Sequence, residues 1–89
     1  MIPELKNPED WHIIQSMLKK ITPSLYIHDF SIFCNTAESK VRELCIIDIE
    51  IKKKKTKALE EKRLIKINEI NTLIRTFSKM LLLASLSKR

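Results

Sequence analysis

Glycine is absent from this 89-residue chain. Glycine supplies the positive-φ positions of tight hairpin turns, many helix C-caps and phosphate-cradling loops, so features built that way are excluded. Proline is nearly as scarce. All three lie early, at Pro3, Pro8 and Pro23, and no strong helix breaker occurs from Ser24 onward. A chain with so few means of turning is expected to form few, long helices.

Other shortages narrow the class further. There are two cysteines, Cys34 and Cys45, and no signal peptide precedes them. This predicts reduced thiols in an intracellular protein, cytoplasmic or nuclear. The spacing of His12, His28, Cys34 and Cys45 matches no zinc-ligand pattern, so no metal is expected. No apolar run approaches the ~20 residues of a membrane span; the longest, Met80 to Ala84, has five. No nucleophile–base pair stands out, and Asp48–Glu50 and Glu60–Glu61 read as solvated faces. The expectation is a non-enzymatic protein without catalytic residues, cofactor or small-molecule substrate.

What is present is charge, unevenly divided. The net charge is +6, but residues 1–51 carry five basic and eight acidic side chains, a balance of −3. Residues 52–89 carry twelve basic and three acidic, a balance of +9. Such a split suits intramolecular pairing of the halves, antiparallel self-association, or a basic end directed at an acidic partner.

Residues 1–7 read as a loose lead-in and 8–35 as short helices. "NPEDW" starts the first: Asn7 can cap, Pro8 suits the first helical position, and Glu9 and Asp10 favour the dipole. Trp11, Ile14, Leu18 and Ile21 then recur at helical spacing until Pro23 forces Thr22 out of the α region, predicting a helix over 8–21. Tyr26, Phe30, Phe33, Ala37, Val41 and Leu44 continue at spacings of four and three. Asn35, with Glu38 three residues on, offers a second cap and a break near Cys34 to Thr36.

The alternation of Ile47, Ile49 and Ile51 suggests a strand, but no second alternating segment exists to pair with it. The reading for 36–87 is therefore a long, coiled-coil-type helix, continuous from about Thr36 to Leu86. Lysine is a good helix former, so Lys52 to Lys57 need not end it. The alternative is a helical hairpin or three-helix bundle turned at 52–57.

Ile67, Ile70, Ile74, Phe77, Leu81 and Ala84 step 3, 4, 3, 4, 3, a coiled-coil seam. Leu73, Met80 and Leu83 add a second stripe, and Leu64, Ile65, Leu82 and Leu86 widen it. So broad an apolar girth predicts burial against protein partner helices in a homo- or hetero-oligomer, not a stable monomer. The expected interface is Leu64, Ile67, Ile70, Leu73, Ile74, Phe77, Met80, Leu81 and Ala84.

Lys52, Lys53, Lys54, Lys55, Lys57, Lys62, Arg63 and Lys66 form the other candidate site, for an acidic partner or, as the alternative function, nucleic acid. They would neutralise phosphates without reading sequence. No aromatic lies between Cys34 and Thr76 to stack bases.

Phe30, Phe33, Lys40, Val41 and Leu44, behind Asp10–Trp11, faintly resemble the small helical subunits of WAVE- and WASH-type actin-regulatory complexes. The likeness covers a minor part of the chain, the first spacing differs, and the lysine run and C-terminal seam have no counterpart there. It assigns no family.

Overall fold

Asn7 does not cap the first helix. In a computed structural model of the chain, which describes residues 2–87, Asp10 caps backwards: its Oδ2 accepts the backbone N–H groups of Lys6 and Asn7, both at 2.9 Å. A turn over 7–10 precedes the helix, with Asp10 N–H donating to Asn7 O. Helix α1 therefore spans Asp10–Ile21, starting two residues later than the sequence predicts. Those two N–H groups hold the Asp10 carboxyl below the usual carboxylate range. A lowered value means the contribution to stability is complete above the ordinary carboxylate pKa and fades as pH falls through the lowered one. Asp10→Asn is expected to lower the melting temperature near neutrality, and the gap from wild type should close in acid. A gap independent of pH in thermal melts would refute that linkage.

Met1 of the lead-in lies outside the described residues, as do Lys88 and Arg89, which the charge count of the second half includes. Helix α1 ends as expected. Thr22 is extended before Pro23, and its hydroxyl donates to the Leu18 carbonyl at 2.6 Å. A single 3-10 turn, Ser24–Tyr26, leads into α2, Ile27–Lys53. No break occurs near Cys34 to Thr36. Thr36 Oγ1 donates to the Ile32 carbonyl one turn back, so the segment runs as helix interior and Asn35 is an exposed position on it.

The continuous helix from Thr36 to Leu86 does not exist. Helix α2 stops at Lys53, and α3, Lys57–Ser87, begins after a short turn. Lys54 is extended (φ −154°, ψ 105°), and no described residue has positive φ. The missing glycine was therefore no obstacle, because this reversal uses backbone geometry open to any residue. Thr56 makes the stop specific: its Oγ1 accepts the Leu59 N–H at 3.2 Å, and its carbonyl accepts the Glu60 N–H. Thr56→Ala should cost about 1 kcal/mol in urea titrations through loss of this N-cap. An unchanged midpoint would show the cap to be dispensable.

Packing decides for the turn. Helix propensities differ by only tenths of a kcal/mol per residue, whereas burying a large apolar side chain yields about 1.5–3 kcal/mol. Folding back brings Phe30, Phe33, Ala37, Val41 and Leu44 of α2 against Ile70, Ile74, Phe77 and Leu81 of α3. The coiled-coil expectation falls with the continuous helix, since the seam packs within its own chain. Phe33 and Phe77 stack at 4.6 Å between ring centroids, with Phe30 at 5.9 Å from Phe77 and Trp11 at 5.8 Å from Phe33.

Among the described residues the result is three discrete α-helices in an up-down-up arrangement, 53 × 18 × 16 Å overall. Pro8 and Glu9, at the start of α1, lie beside Asp48 and Arg63 near the α2–α3 turn; Ile21 at its end lies beside Leu81 and Leu82. With 12 residues against 27 and 31, α1 covers only part of the hairpin. Among the described residues there is no strand; Ile47 and Ile51 share the inward side of α2 and Ile49 is exposed.

The lead-in is anchored rather than loose. Asn71, 5% exposed on α3, reaches it across 66 positions of sequence. Its Oδ1 accepts the Leu5 N–H at 2.7 Å and its Nδ2 donates to the Leu5 carbonyl at 2.9 Å, while the Leu5 side chain is fully buried.

Candidate helix-binding groove

The residues expected to meet a partner are mostly occupied within the chain. Ile70, Ile74, Phe77 and Leu81 are buried, and Ile67, Leu73 and Met80 are half-buried against the same core. Ala84 is also half-buried, and only Leu64 of the expected interface is largely exposed. The core-facing members are therefore not available to a partner while the bundle stays folded.

The basic group divides in two. Arg63 and Lys66 turn inward. Arg63 Nε donates to Asp48 Oδ1 at 2.6 Å, and its Nη2 donates to the Lys6 carbonyl and to Asn7 Oδ1, each at 3.1 Å. One guanidinium thus ties α3 to both α2 and the lead-in. Lys66 lies 2.8 Å from Glu43 and 3.2 Å from Glu69, and Lys40 donates to Glu69 at 3.0 Å. Glu43 first, and then Glu69, raise the Lys66 pKa; Lys40 and then Lys66 lower that of Glu69. These partly exposed pairs fix the register of α2 on α3 more than they stabilise it.

Lys52, Lys53, Lys54, Lys55, Lys57 and Lys62 remain exposed at the hairpin tip. Lys55 pairs with Glu60 at 3.3 Å. The other five make no hydrogen bond or ion pair among the described residues.

A groove runs along the hairpin on a side that neither α1 nor the lead-in lines. Its first hollow, about 360 Å³, is formed by Glu43, Ile46 and Ile47 of α2 with Lys62, Ile65, Lys66 and Glu69 of α3. The next, about 410 Å³, shares Ile65 and Glu69 and continues to Lys40, Thr72 and Leu73. Ile46 is 57% and Ile65 58% exposed. From Lys62 to Leu73 the groove follows α3 for about 16 Å, or three helical turns.

Ile46 is the lining aliphatic to which the sequence pattern gives no role; Ile65 only widens the C-terminal stripe, and Ile47 belongs to the Ile47, Ile49 and Ile51 alternation. For Ile46 and Ile65 the available signal is their placement off the main apolar stripe, which a single buried face leaves unexplained. Asn71 had no such signal, because a lone polar residue in a helix does not reveal a backbone partner so distant.

The cysteines supply no cross-link. They sit eleven positions apart on α2, so their backbones are separated by about 16 Å, far beyond disulfide reach. Burial pushes the Cys34 thiol up, with Gln15 donating to its sulfur at 3.5 Å, whereas Cys45 is exposed. Among the described residues no group of three or more His, Cys, Asp or Glu could hold a metal ion, and no helix is long and apolar enough to cross a membrane.

The fold and groove define the class, a small all-α domain of packed helices. Comparison with protein-family models, curated proteins and solved structures finds no match to this chain.

Proposed function

We propose that this chain is a non-enzymatic assembly subunit whose α2–α3 hairpin receives a helix of a protein partner. One observation carries this reading: two adjoining hollows that share Ile65 and Glu69 and together follow three turns of α3, on the side of the hairpin that α1 and the lead-in leave open. Amphipathic helices are bound in this way, with aliphatic anchors at i, i+3, i+4 and i+7 laid between two supporting helices. Exposed aliphatics scattered singly need no explanation, but exposed Ile46 and Ile65 line the same hollow with half-buried Ile47, and Ile65 also lines the next hollow with half-buried Leu73.

The test is Ile65→Asp in a tagged chain expressed in its own cells. Ile65 is exposed, so helicity and melting temperature should hold. A stoichiometric co-purifying protein should be recovered with wild type and lost with the variant. A complex that persists unchanged in Ile65→Asp would reject the groove as its interface. Nucleic-acid binding through the basic stretch is the weaker reading, because Arg63 and Lys66 are committed to carboxylates of the same chain.

A further inference from the structure

We infer that the groove's occupant is an acidic amphipathic helix of a different protein, lying with its acidic end against the hairpin tip. This rests on the assembly reading above and specifies the partner's chemistry and direction.

Charge is balanced along the groove but not at its end. Along the middle of the groove the walls are neutralised internally: Lys40 and Lys66 are matched to Glu43 and Glu69. A helix lying there meets aliphatic side chains between satisfied ion pairs. At the tip the balance fails. Residues 50–62 hold six lysines against three glutamates, and Asp48, the next acid along α2, is taken by Arg63. Unmatched cations held together by the fold create a positive potential that a partner carboxylate can offset.

The groove and the charged tip are continuous. Lys62 belongs to both features, lining the groove beside Ile46 and Ile47 while carrying one of the unpaired tip charges. An occupant that fills the groove therefore reaches the lysines at one end only. Its apolar stripe sets affinity and its acidic end sets direction, since in the reversed orientation the tip lysines would go unmatched.

A second copy of the chain fits less well. Each copy carries a net charge of +6, and side-by-side tips would bring lysines onto lysines. Nucleic acid would use the tip but leave the aliphatic groove empty, and no aromatic from 35 to 76 offers a base a stacking surface.

The inference is tested with the full chain and three fluorescent probes in anisotropy titrations. Two are synthetic amphipathic peptides with the same leucine stripe, one ending in glutamates and the other in lysines; the third is a short DNA duplex. The glutamate peptide should bind at least tenfold more tightly than the lysine peptide at low salt. Changing Lys52, Lys53, Lys54 and Lys62 together to Gln should erase that preference, because it removes four of the unmatched tip cations. Zero-length carbodiimide coupling should join the peptide's glutamates to tip lysines and not to Lys40. Ile65→Asp should abolish binding of the glutamate peptide while helicity is retained. Equal affinity for the two peptides, or none for either, would overturn the inference, and Ile65-dependent assembly in cells would then still stand. Binding of the duplex alone, insensitive to Ile65→Asp, would overturn it in favour of a phosphate partner.

Discussion

Phe77→Ala is expected to lose about 3–5 kcal/mol, read from the midpoint of a guanidinium titration. Phe77 is 6% exposed, stacked on Phe33 with rings 10° from parallel, and in contact distance of Phe30. Truncation removes the ring that joins α3 to α2 and leaves a cavity between aromatics that cannot close over it. Small domains have only about 5–15 kcal/mol of stability, so this variant should lie near the edge of folding at ambient temperature. Leu64→Ala, at a position 62% exposed, provides the control and should stay within about 0.5 kcal/mol of wild type. Protein concentration separates the two accounts of the seam. If Phe77 packs within the chain, the loss is the same at every concentration; if it packed between chains, stability would rise with concentration by mass action. A concentration-dependent loss would contradict the intramolecular core.

Asn71→Leu should be the next most damaging change, and it should act locally. The substitution suits an apolar environment in size but leaves the Leu5 N–H and carbonyl without their partners at 2.7 and 2.9 Å. Each buried backbone group left unsatisfied costs about 1–3 kcal/mol. The chain can limit that cost by releasing residues 2–7 into water, forfeiting the burial of Leu5 and the hydrogen bonds from Arg63 to Lys6 and Asn7. Amide exchange should then show Leu5 losing protection while the α2–α3 core around Ile70 and Leu44 keeps its own. Protection of Leu5 equal to wild type would mean that the Asn71 bonds do not hold the lead-in. Residual order through Glu4 and Arg75, an exposed pair at 3.1 Å, would be too weak to restore it.

These two residues mark the range of what could be read in advance. Phe77 was visible as part of a stripe recurring every three or four residues, and that it would be buried followed from the period. What it would be buried against did not follow. The stripe looks like a seam for another chain because its apolar girth exceeds what the short N-terminal helices alone could cover. Asn71 was invisible: its role depends on a backbone segment 66 positions away. Arg63 is hidden in the same way. In sequence it belongs to a basic block, yet in space it stands 2.6 Å from Asp48 and beside the lead-in.

The helical class, the stop before Pro23, the buried stripe of Trp11, Ile14 and Leu18, and the core positions from Phe30 to Leu44 were all determined by the sequence itself. They depend on periodicity, on proline geometry and on propensity, which act over one or two turns of chain. The reversal after Lys53, the inward pairing of Arg63 and Lys66, the anchoring of Leu5 and the identity of the open groove were decided only by tertiary structure. At Lys52 to Lys57 the local preferences for helix and turn nearly balance. Burial of side chains twenty to forty residues apart outweighs them, and those distant contacts choose both where the chain turns and which aliphatic face is left uncovered.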